Sequence, residues 1–359
     1  MTETYRGSPN KLISQLKLLI LINWKEEGRW SFLRFLKSQI EHTTVLQPLS
    51  FKDTVDSRLI YLSNYLSECY VPLMALCRRN TTDVIISWQM RIGIFYGIFK
   101  RLFRARKPPL HIIQDFHIDL TQNRWPYRVQ IEFMKLALPG IDFFCCTSTE
   151  ESLIYSRMFG IPRDRIAFLP LIPPNVSFEL PAHPQNDYIF SYGNSDRDFD
   201  TLIRAVADLN VKTVILSQRY QHSTPLPENV FLIRNRITEK ELTQWVISSR
   251  MVILPLIDYR ISAGQLSLLE VMSLGRPIVV TRNMATREYA VHRQTALFYE
   301  ARDSMELADH IMYLWDHFET AEEIGRQARL ACQKLKDQRM TVLTHLLERC
   351  ASIIQKGDN

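Results

Sequence analysis

Short apolar runs alternate with longer helical patterns through almost the whole chain. Continuous apolar runs of this kind are typical of parallel strands covered on both faces, and the helices between them complete βαβ units. The first series predicts strands at residues 17–23, 83–88, 111–115, 141–147 and 166–169. The second series predicts strands at residues 188–192, 213–216, 230–233, 251–256, 277–281 and 296–299. The pattern therefore predicts an α/β protein with two doubly wound parallel sheets.

A proline-rich stretch at residues 171–186 separates the two series. Proline fixes φ and removes a hydrogen-bond donor, so this stretch is expected to be a stiff, extended linker. A chain of 359 residues also exceeds what one hydrophobic core usually supports. We therefore predict an N-terminal domain over residues 1–175, a C-terminal domain over residues 186–335, and a last helix over residues 336–359 that packs back on the N-terminal domain.

The composition favours a globular cytoplasmic protein. The net charge of +6 is too small for a dedicated nucleic-acid binder, and no nucleic-acid-binding module accompanies it. The six cysteines form no CxxC pair and no spacing typical of zinc, so no metal site is predicted. Because no secretory signal is recognisable, the cysteines are expected to stay reduced in the cytoplasm.

The most informative segment follows the predicted strand at residues 251–256. Ser262, Ala263, Gly264 and Gln265 are predicted to begin a helix, with Ser262 as its N-cap. Gly264 would let a ligand approach the backbone closely. The unpaired N–H groups of the first turn and the helix dipole favour an anion such as a diphosphate. Glu270 follows one to two turns later, where its carboxylate could accept hydrogen bonds from the two hydroxyls of a ribose.

The sequence SAGQLSLLEVMSLGRPIVVT at residues 262–281 resembles the donor-binding signature of the large retaining GT-B glycosyltransferase family, the glycosyl transferases group 1 type. Glu270 matches the later, ribose-binding glutamate of the family's Glu-x7-Glu pair, whereas Ser262 replaces the earlier one. The resemblance implies a GT-B fold, in which two Rossmann-like domains face a central cleft. It also implies a UDP- or GDP-linked sugar as donor, with no cofactor and no metal.

The loop after the first strand of the second series fits the same resemblance. Gly193 and Asn194 stand where the family has glycine-arginine, so Asn194 replaces an arginine. Arg197 matches the basic residue that neutralises the diphosphate, and one guanidinium can bind two phosphate oxygens. Arg234 follows another strand, in a loop that the family places beside the nucleotide base.

The N-terminal series offers fewer site residues. Asp115 and His117 follow a predicted strand, and catalytic groups collect at the carboxyl ends of such strands. The family often carries a histidine of the cleft in this position, so His117 joins Arg197 as a catalytic candidate. Gly28, after the first strand, could relieve crowding at a helix start on the acceptor side.

The basic run Lys100–Lys107 has an aromatic residue between its cations. Such a run could rest on anionic lipid, which would place the protein peripherally on the inner face of a membrane. The same residues could instead be the solvated end of a helix, where cations are favoured by the helix dipole.

These features predict an enzyme that transfers a hexosyl group, with retention, from a nucleoside diphosphate sugar to an acceptor hydroxyl. The expected acceptor is a polysaccharide, a lipid-linked glycan or another glycan. Two alternatives stay open. The chain could be a sugar-nucleotide epimerase of GT-B fold, or a degenerate member that acts as a non-catalytic binding partner.

Overall fold

A computed structural model describes residues 11–24, 26, 31–48, 57–103, 105, 107–118, 125–172, 187–257 and 262–357. The chain divides into two compact units. Unit 1 contains Met1–Leu169 and Met340–Asn359, and unit 2 contains Pro170–Arg339. Most of the proline-rich stretch, residues 173–186, lies outside the described residues.

Unit 1 is built on six strands, β1 (Lys17–Leu21), β2 (His42–Leu46), β3 (Val84–Gln89), β4 (Leu110–Asp115), β5 (Phe143–Cys146) and β6 (Ile166–Phe168). They form one parallel sheet in the order β2-β1-β3-β4-β5-β6. The central strands β1, β3 and β4 are almost wholly buried, as their continuous apolar sequences require.

The helices of unit 1 are α1 (Lys11–Ser14), α2 (Ser31–Gln39), α3 (Ser57–Cys77), α4 (Met90–Leu102), α5 (Trp125–Ala137) and α6 (Thr149–Phe159). Helices α4 and α5 contact each other, and their buried residues Ile94 and Met134 join Ile113 of β4 and Phe144 of β5 in one cluster. Helix α6 begins after Ser148, whose side chain caps the helix by accepting a hydrogen bond from the N–H of Glu151.

Unit 2 also contains six strands, β7 (Ile189–Tyr192), β8 (Thr213–Leu216), β9 (Val230–Ile233), β10 (Met251–Leu254), β11 (Ile278–Thr281) and β12 (Leu297–Tyr299). They form a parallel sheet in the order β12-β11-β10-β7-β8-β9. Counted within the unit, this is the 3-2-1-4-5-6 order of a Rossmann fold. Its topological switch point lies between β7 and β10.

The helices of unit 2 are α7 (Phe199–Val206), α8 (Glu239–Ser248), α9 (Gln265–Ser273), α10 (Thr286–Tyr289), α11 (Ser304–Asp316) and the start of α12 (Phe318–Gly357). Helix α12 has 40 residues and ends in unit 1, where the Arg349 guanidinium lies 4.9 Å from the centre of the Phe143 ring. Of the helices that the structure describes, none is long and apolar enough to cross a membrane.

The prediction of two doubly wound parallel sheets is confirmed. Strand β2 and the short helix α1 of unit 1 were not predicted, whereas α3 and α5 were expected only as helices between predicted strands, without bounds. Strand β2 lies at the edge of the sheet and is only partly buried, so it has no continuous apolar run. Helix α3 contains Pro72, a residue that normally argues against a helix interior.

Candidate functional site

The switch point of unit 2 brings together the loops that follow β7 and β10. Arg197 in the first loop forms an isolated antiparallel bridge with Leu256 in the second. The N–H of Asp198 donates to the carbonyl of Pro255 at 3.0 Å, and the N–H of Ile257 donates to the carbonyl of Asp196 at 3.2 Å. In doubly wound sheets, ligands bind at this position, outside the carboxyl ends of the strands.

The Arg197 guanidinium connects the loop after β7 to helix α9 through three hydrogen bonds. Nε donates to the carbonyl of Tyr192 at 2.9 Å, and one terminal nitrogen donates to the carbonyl of Ser195 at 3.0 Å. The other terminal nitrogen donates to Oγ of Ser267, in the first turn of α9, at 2.8 Å. Burial lowers the pKa of the guanidinium, and the charges of Tyr192 and Asp196 act in the opposite direction. Arg197 therefore brings a partly buried cation to the start of α9.

Gly193 makes room for that guanidinium. Its φ is +136°, which side chains rarely adopt, and a Cβ atom there would lie 2.6 Å from Nε of Arg197. Asp198 caps α7, because its side chain accepts from the N–H of Thr201 at 3.1 Å.

Helix α9 begins differently from the prediction. Its N-cap is Gly264, with φ +85° and no side-chain cap, so the assignment of the cap to Ser262 is wrong. The Ser262 hydroxyl instead accepts a hydrogen bond from the Gln265 amide, and both side chains are buried. A Cβ at Gly264 would lie 2.7 Å from the Leu256 side chain. The left-handed turn and this close approach together require glycine at the helix start.

The carbonyl of Ala263 accepts a 3.1 Å hydrogen bond from the Asn283 amide, which ties the helix start to the loop after β11. The Asn283 oxygen in turn accepts from the N–H groups of Ala285 and Thr286, at 2.9 and 2.7 Å. Asn283 is buried and was not predicted as a site residue. It fixes the position of the peptide that leads into α9.

Glu270 lies in the second turn of α9 and accepts a 2.7 Å hydrogen bond from the Tyr192 hydroxyl through Oε2. Burial raises the pKa of the Glu270 carboxyl, the Tyr192 hydrogen bond lowers it, and the charge of Glu239 raises it. Oε1 accepts no hydrogen bond from any residue that the structure describes. A half-buried carboxylate with an available oxygen is suited to accept hydrogen bonds from the hydroxyl groups of a sugar.

The other two predicted residues of unit 2 have different positions. Oδ1 of Asn194 accepts from the N–H of Gln218 at 2.8 Å, and it lies 3.3 Å from Oγ of Ser217. Asn194 thus joins the loops after β7 and β8. Arg234 is exposed after β9, at the edge of the sheet and two strands away from β7.

Residues 190–317, which include this site, match the family model described as Glycosyl transferases group 1. This segment is a glycosyl transferases group 1 domain. The match supports a glycosyltransferase, and it coincides with the unit in which Glu270, Arg197 and the start of α9 come together. No curated protein matches the sequence of the chain.

Solved structures similar to this chain cover almost its full length. HepE from Anabaena, solved in complex with UDP, has a TM-score of 0.67 at 12% identity, covering 92% of this chain and 99% of its own. An α,α-trehalose-phosphate synthase (UDP-forming) from Burkholderia vietnamiensis has a TM-score of 0.66 at 10% identity, covering 95% and 99%. Sucrose-phosphate synthase from Thermosynechococcus elongatus has a TM-score of 0.59 at 13% identity, covering 88% and 84%. These similarities confirm the predicted GT-B fold.

Unit 1 of this GT-B chain carries a second polar cluster at the carboxyl end of β4. Asp115 ends the strand and is exposed. Nδ1 of His117 lies 3.1 Å from Oε1 of Glu151, whose side chain is only 6% exposed. The other carboxylate oxygen of Glu151 is buried and has no hydrogen-bond partner among the described residues. Gly28 lies outside the described residues.

Glu151 was not predicted as a site residue, and its contact with His117 is visible only in the structure. Tyr192 and Ser267 were likewise missed, because both look like ordinary residues of a buried strand and an amphipathic helix. The one available signal was position: Tyr192 is the last residue of β7, directly before the predicted loop.

Proposed function

We propose that the chain transfers a hexosyl group from a nucleoside diphosphate sugar to an acceptor hydroxyl. The observation that carries the proposal is the shared position of Glu270, Arg197 and the start of α9 at the switch point of unit 2. A ribose hydrogen-bonded to Glu270 would direct its diphosphate toward the N-terminal end of the same helix. Helix N-termini favour anions through their free N–H groups and their dipole.

Arg197 would share in binding the diphosphate. Its terminal nitrogen lies 2.8 Å from Oγ of Ser267, so the guanidinium already borders the first turn of α9. As the sugar leaves, charge develops on the diphosphate, and groups that are fixed before the reaction stabilise that charge most effectively. We propose that the guanidinium and the helix start supply this stabilisation without a divalent metal.

UDP-glucose is the first donor to test, because HepE, which shares the fold, was solved with UDP and with UDP-glucose.

Ser262 stands where the family signature has its first glutamate, and its hydroxyl accepts a hydrogen bond from the Gln265 amide. That glutamate contacts the donor sugar in the family. We extend the proposal to retention of configuration, as the family resemblance implies.

Calorimetric titration with UDP, UDP-glucose and GDP-mannose tests the donor site. Glu270→Ala should weaken UDP binding at least about 10-fold, because a hydrogen bond to a charged group contributes about 1.5–3 kcal/mol. Glu228→Ala, which changes an exposed glutamate in the loop before β9, is the matched control and should leave binding unchanged. The absence of binding to every nucleotide would overturn the proposal.

Turnover separates the proposed transferase from the alternatives. UDP-glucose is incubated with the protein and a glycan panel, and NMR follows UDP release and the anomeric configuration of the product. An α-linked product would support retention, and a β-linked product would contradict it. Conversion of the sugar nucleotide without an acceptor would indicate an epimerase. Tight binding without any conversion would indicate a non-catalytic binding protein.

A further inference from the structure

We propose that helices α4 and α5 of unit 1 present a docking surface for an anionic lipid membrane. Helix α5 exposes a row of large apolar side chains: Trp125 (75% exposed), Val129 (41%), Phe133 (43%) and Leu136 (53%). Their spacing of three or four residues places all of them along one side of the helix. We call this row the α5 stripe.

The α5 stripe lies apart from the side of the helix that packs on the core of unit 1. Met134 and Ala137, on another side of α5, are buried and pack in the core cluster of unit 1. Helix α5 therefore has one apolar side that packs on the core and a second apolar side, the α5 stripe, that faces away from the core. A contiguous row of four large apolar side chains is unusual on the free surface of a monomer and marks an interaction site.

The apolar surface continues from α5 onto the end of α4. Phe133 of the stripe lies 6.4 Å from Phe95, and Phe95 lies 6.4 Å from Phe99, measured between ring centres. Phe99 in turn lies 6.5 Å from Phe103, which is half exposed beside the exposed Leu102. The α5 stripe and the end of α4 thus form one surface.

Exposed cations lie on the same two helices and just beyond them. Arg101 lies between the two parts, because its guanidinium donates to the carbonyl of Leu136 at 3.4 Å. Arg128 and Lys135 are exposed on α5, and Lys107 is exposed beyond α4. The one acidic residue of α5, Glu132, pairs with Lys135 at 2.7 Å, so the positive charges outnumber it. Exposed cations near an apolar surface are attracted to anionic headgroups.

The structure revises which residues of the basic run could meet lipid. Lys100 is largely buried and pairs with Asp142 at 2.5 Å, so it serves unit 1 itself. Arg104 and Arg106 lie outside the described residues. The apolar contact comes mainly from α5, which lies outside the basic run.

A cavity beside the surface offers a place for a headgroup. It has a volume of about 470 Å³ and is lined by Lys100, Arg101, Ala105, Pro108, Pro139 and Gly140. Pro139 and Gly140 come shortly after Leu136, the last residue of the α5 stripe. Arg101 belongs to both the cavity and the cationic border, which suits a lipid phosphate whose acyl chains meet the α5 stripe.

A lipid surface fits these features better than a protein partner. Exposed cations of α5 and of the end of α4 accompany the apolar row, and Trp125 is a residue that prefers the membrane–water interface. Helix α5 has 13 residues and is about 20 Å long, which allows it to lie in the interface but not to span it. The inference concerns unit 1 and does not depend on the nucleotide site proposed in unit 2.

Vesicle sedimentation tests the surface with the full chain. The wild-type protein should sediment with phosphatidylcholine vesicles that contain about a third phosphatidylglycerol, and much less with pure phosphatidylcholine. High salt should weaken this binding, because the exposed cations contribute to it. The double variant Val129→Asp with Phe133→Asp should lower the partition coefficient at least about 10-fold, because it removes two apolar groups from the contact.

Met305→Asp is the matched control, because Met305 is exposed to 80% on α11 of unit 2. It should sediment like the wild type, and unchanged circular dichroism would show that the double variant is folded. Equal sedimentation of the double variant and the control would overturn the inference. So would a lack of vesicle binding by the wild type. A dimer detected by sedimentation velocity, absent in the double variant and without vesicle binding, would assign the surface to a second copy instead.

Discussion

The Tyr192 hydroxyl donates a 2.7 Å hydrogen bond to the Glu270 carboxylate across the switch point of unit 2. Tyr192 ends β7, whereas Glu270 lies in the second turn of α9, which follows β10. The bond therefore couples the two elements that diverge at the proposed nucleotide site. It also opposes the effect of burial on Glu270, since burial raises the pKa of the carboxyl and the hydrogen bond lowers it.

Tyr192→Phe removes this hydrogen bond and should raise the pKa of Glu270 further. Only the ionised carboxylate accepts two hydroxyl hydrogen bonds, so UDP binding should weaken as the pH falls through the raised pKa. The variant should begin to lose affinity at a higher pH than the wild type. Calorimetric titrations between about pH 5 and pH 8 measure the two profiles. Identical profiles would show that Glu270 does not contact the nucleotide.

Protonation of Glu270 should weaken UDP binding but stabilise the folded protein. A carboxyl whose pKa is raised in the folded state binds protons more tightly there than in the unfolded chain. The free energy of unfolding therefore falls as the pH rises from the ordinary glutamate pKa through the raised one. Tyr192→Phe should widen that pH window, which urea titrations at several pH values would detect.

Arg197→Lys distinguishes a phosphate contact from a purely structural role. Lysine keeps the charge but cannot reach the carbonyls of Tyr192 and Ser195 and the hydroxyl of Ser267 together. We expect the protein to lose about 2–4 kcal/mol of stability. If the guanidinium also binds phosphate, UDP affinity should fall about 10-fold more than uridine affinity. An equal loss for UDP and uridine would make Arg197 an anchor of the loop only.

The sheets could be predicted because most of their strands are buried on both faces. The predicted strands 213–216 and 230–233 coincide with β8 and β9, and the other predicted strands overlap the observed ones. Burial on both faces leaves a continuous apolar run, which is visible without knowledge of the fold. Strand β2 is only partly buried, and its sequence HTTVL carries no such run.

The site could be predicted in outline but not in its contacts. Glu270 and Arg197 were assigned from a motif and a loop, and the strand order brings both to one switch point. The partners Tyr192 and Ser267 depend on which strands are neighbours, and the sequence alone does not give that order. The cap was assigned to the wrong residue because a left-handed Gly264 can begin a helix without a side-chain cap.

Glu151→Gln tests whether His117 is held for a role in the reaction. The carboxylate lies 3.1 Å from Nδ1 of His117 and is itself buried, so it fixes the orientation of the ring. Glutamine keeps the size of the side chain but not its charge. We expect kcat for transfer to fall about 10-fold, because small errors in position are costly in catalysis.

UDP affinity should stay unchanged in Glu151→Gln, since the proposed nucleotide site lies in unit 2. Glu150→Gln, one residue earlier on the same helix, is the matched control. In a double-mutant cycle, Glu151→Gln should have little further effect once His117 is changed to Gln. Additive effects would show that the two residues act independently.

His111→Gln tests a pH dependence of stability in unit 1. Burial lowers the pKa of His111 to about 3, and the charge of Lys100 lowers it as well, whereas the hydrogen bond to Gly140 raises it. Nδ1 lies 3.2 Å from the carbonyl of Gly140, and Nε2 lies 2.8 Å from Oγ of Ser87. The neutral ring, with Nδ1 as donor and Nε2 as acceptor, satisfies both contacts.

Because the folded state resists protonation of His111, the unfolded chain binds more protons below the ordinary histidine pKa. The free energy of unfolding should fall by about 1.4 kcal/mol per pH unit as the pH decreases from 6.5 toward 3. The His111→Gln variant has no imidazole to protonate at this position. Its free energy of unfolding should lose this part of the pH dependence and keep the part that comes from other titratable groups. Urea titrations at several pH values measure both slopes, and equal slopes would contradict the assignment.

Gly140→Ala should destabilise unit 1 through a direct clash of backbones. A Cβ at Gly140 would overlap the carbonyl of Gly97 in α4, which cannot move aside as a flexible side chain could. We expect a loss of about 3 kcal/mol in the free energy of unfolding, at the upper end of the range for overpacking a core.

Gly160→Ala is the control, because a Cβ there would meet nothing within 4 Å and only the φ of +66° opposes the substitution. That left-handed conformation should cost about 1–2 kcal/mol. Equal losses in the two variants, measured by urea unfolding, would mean that α4 can shift away from Gly140 and that the close approach is not required.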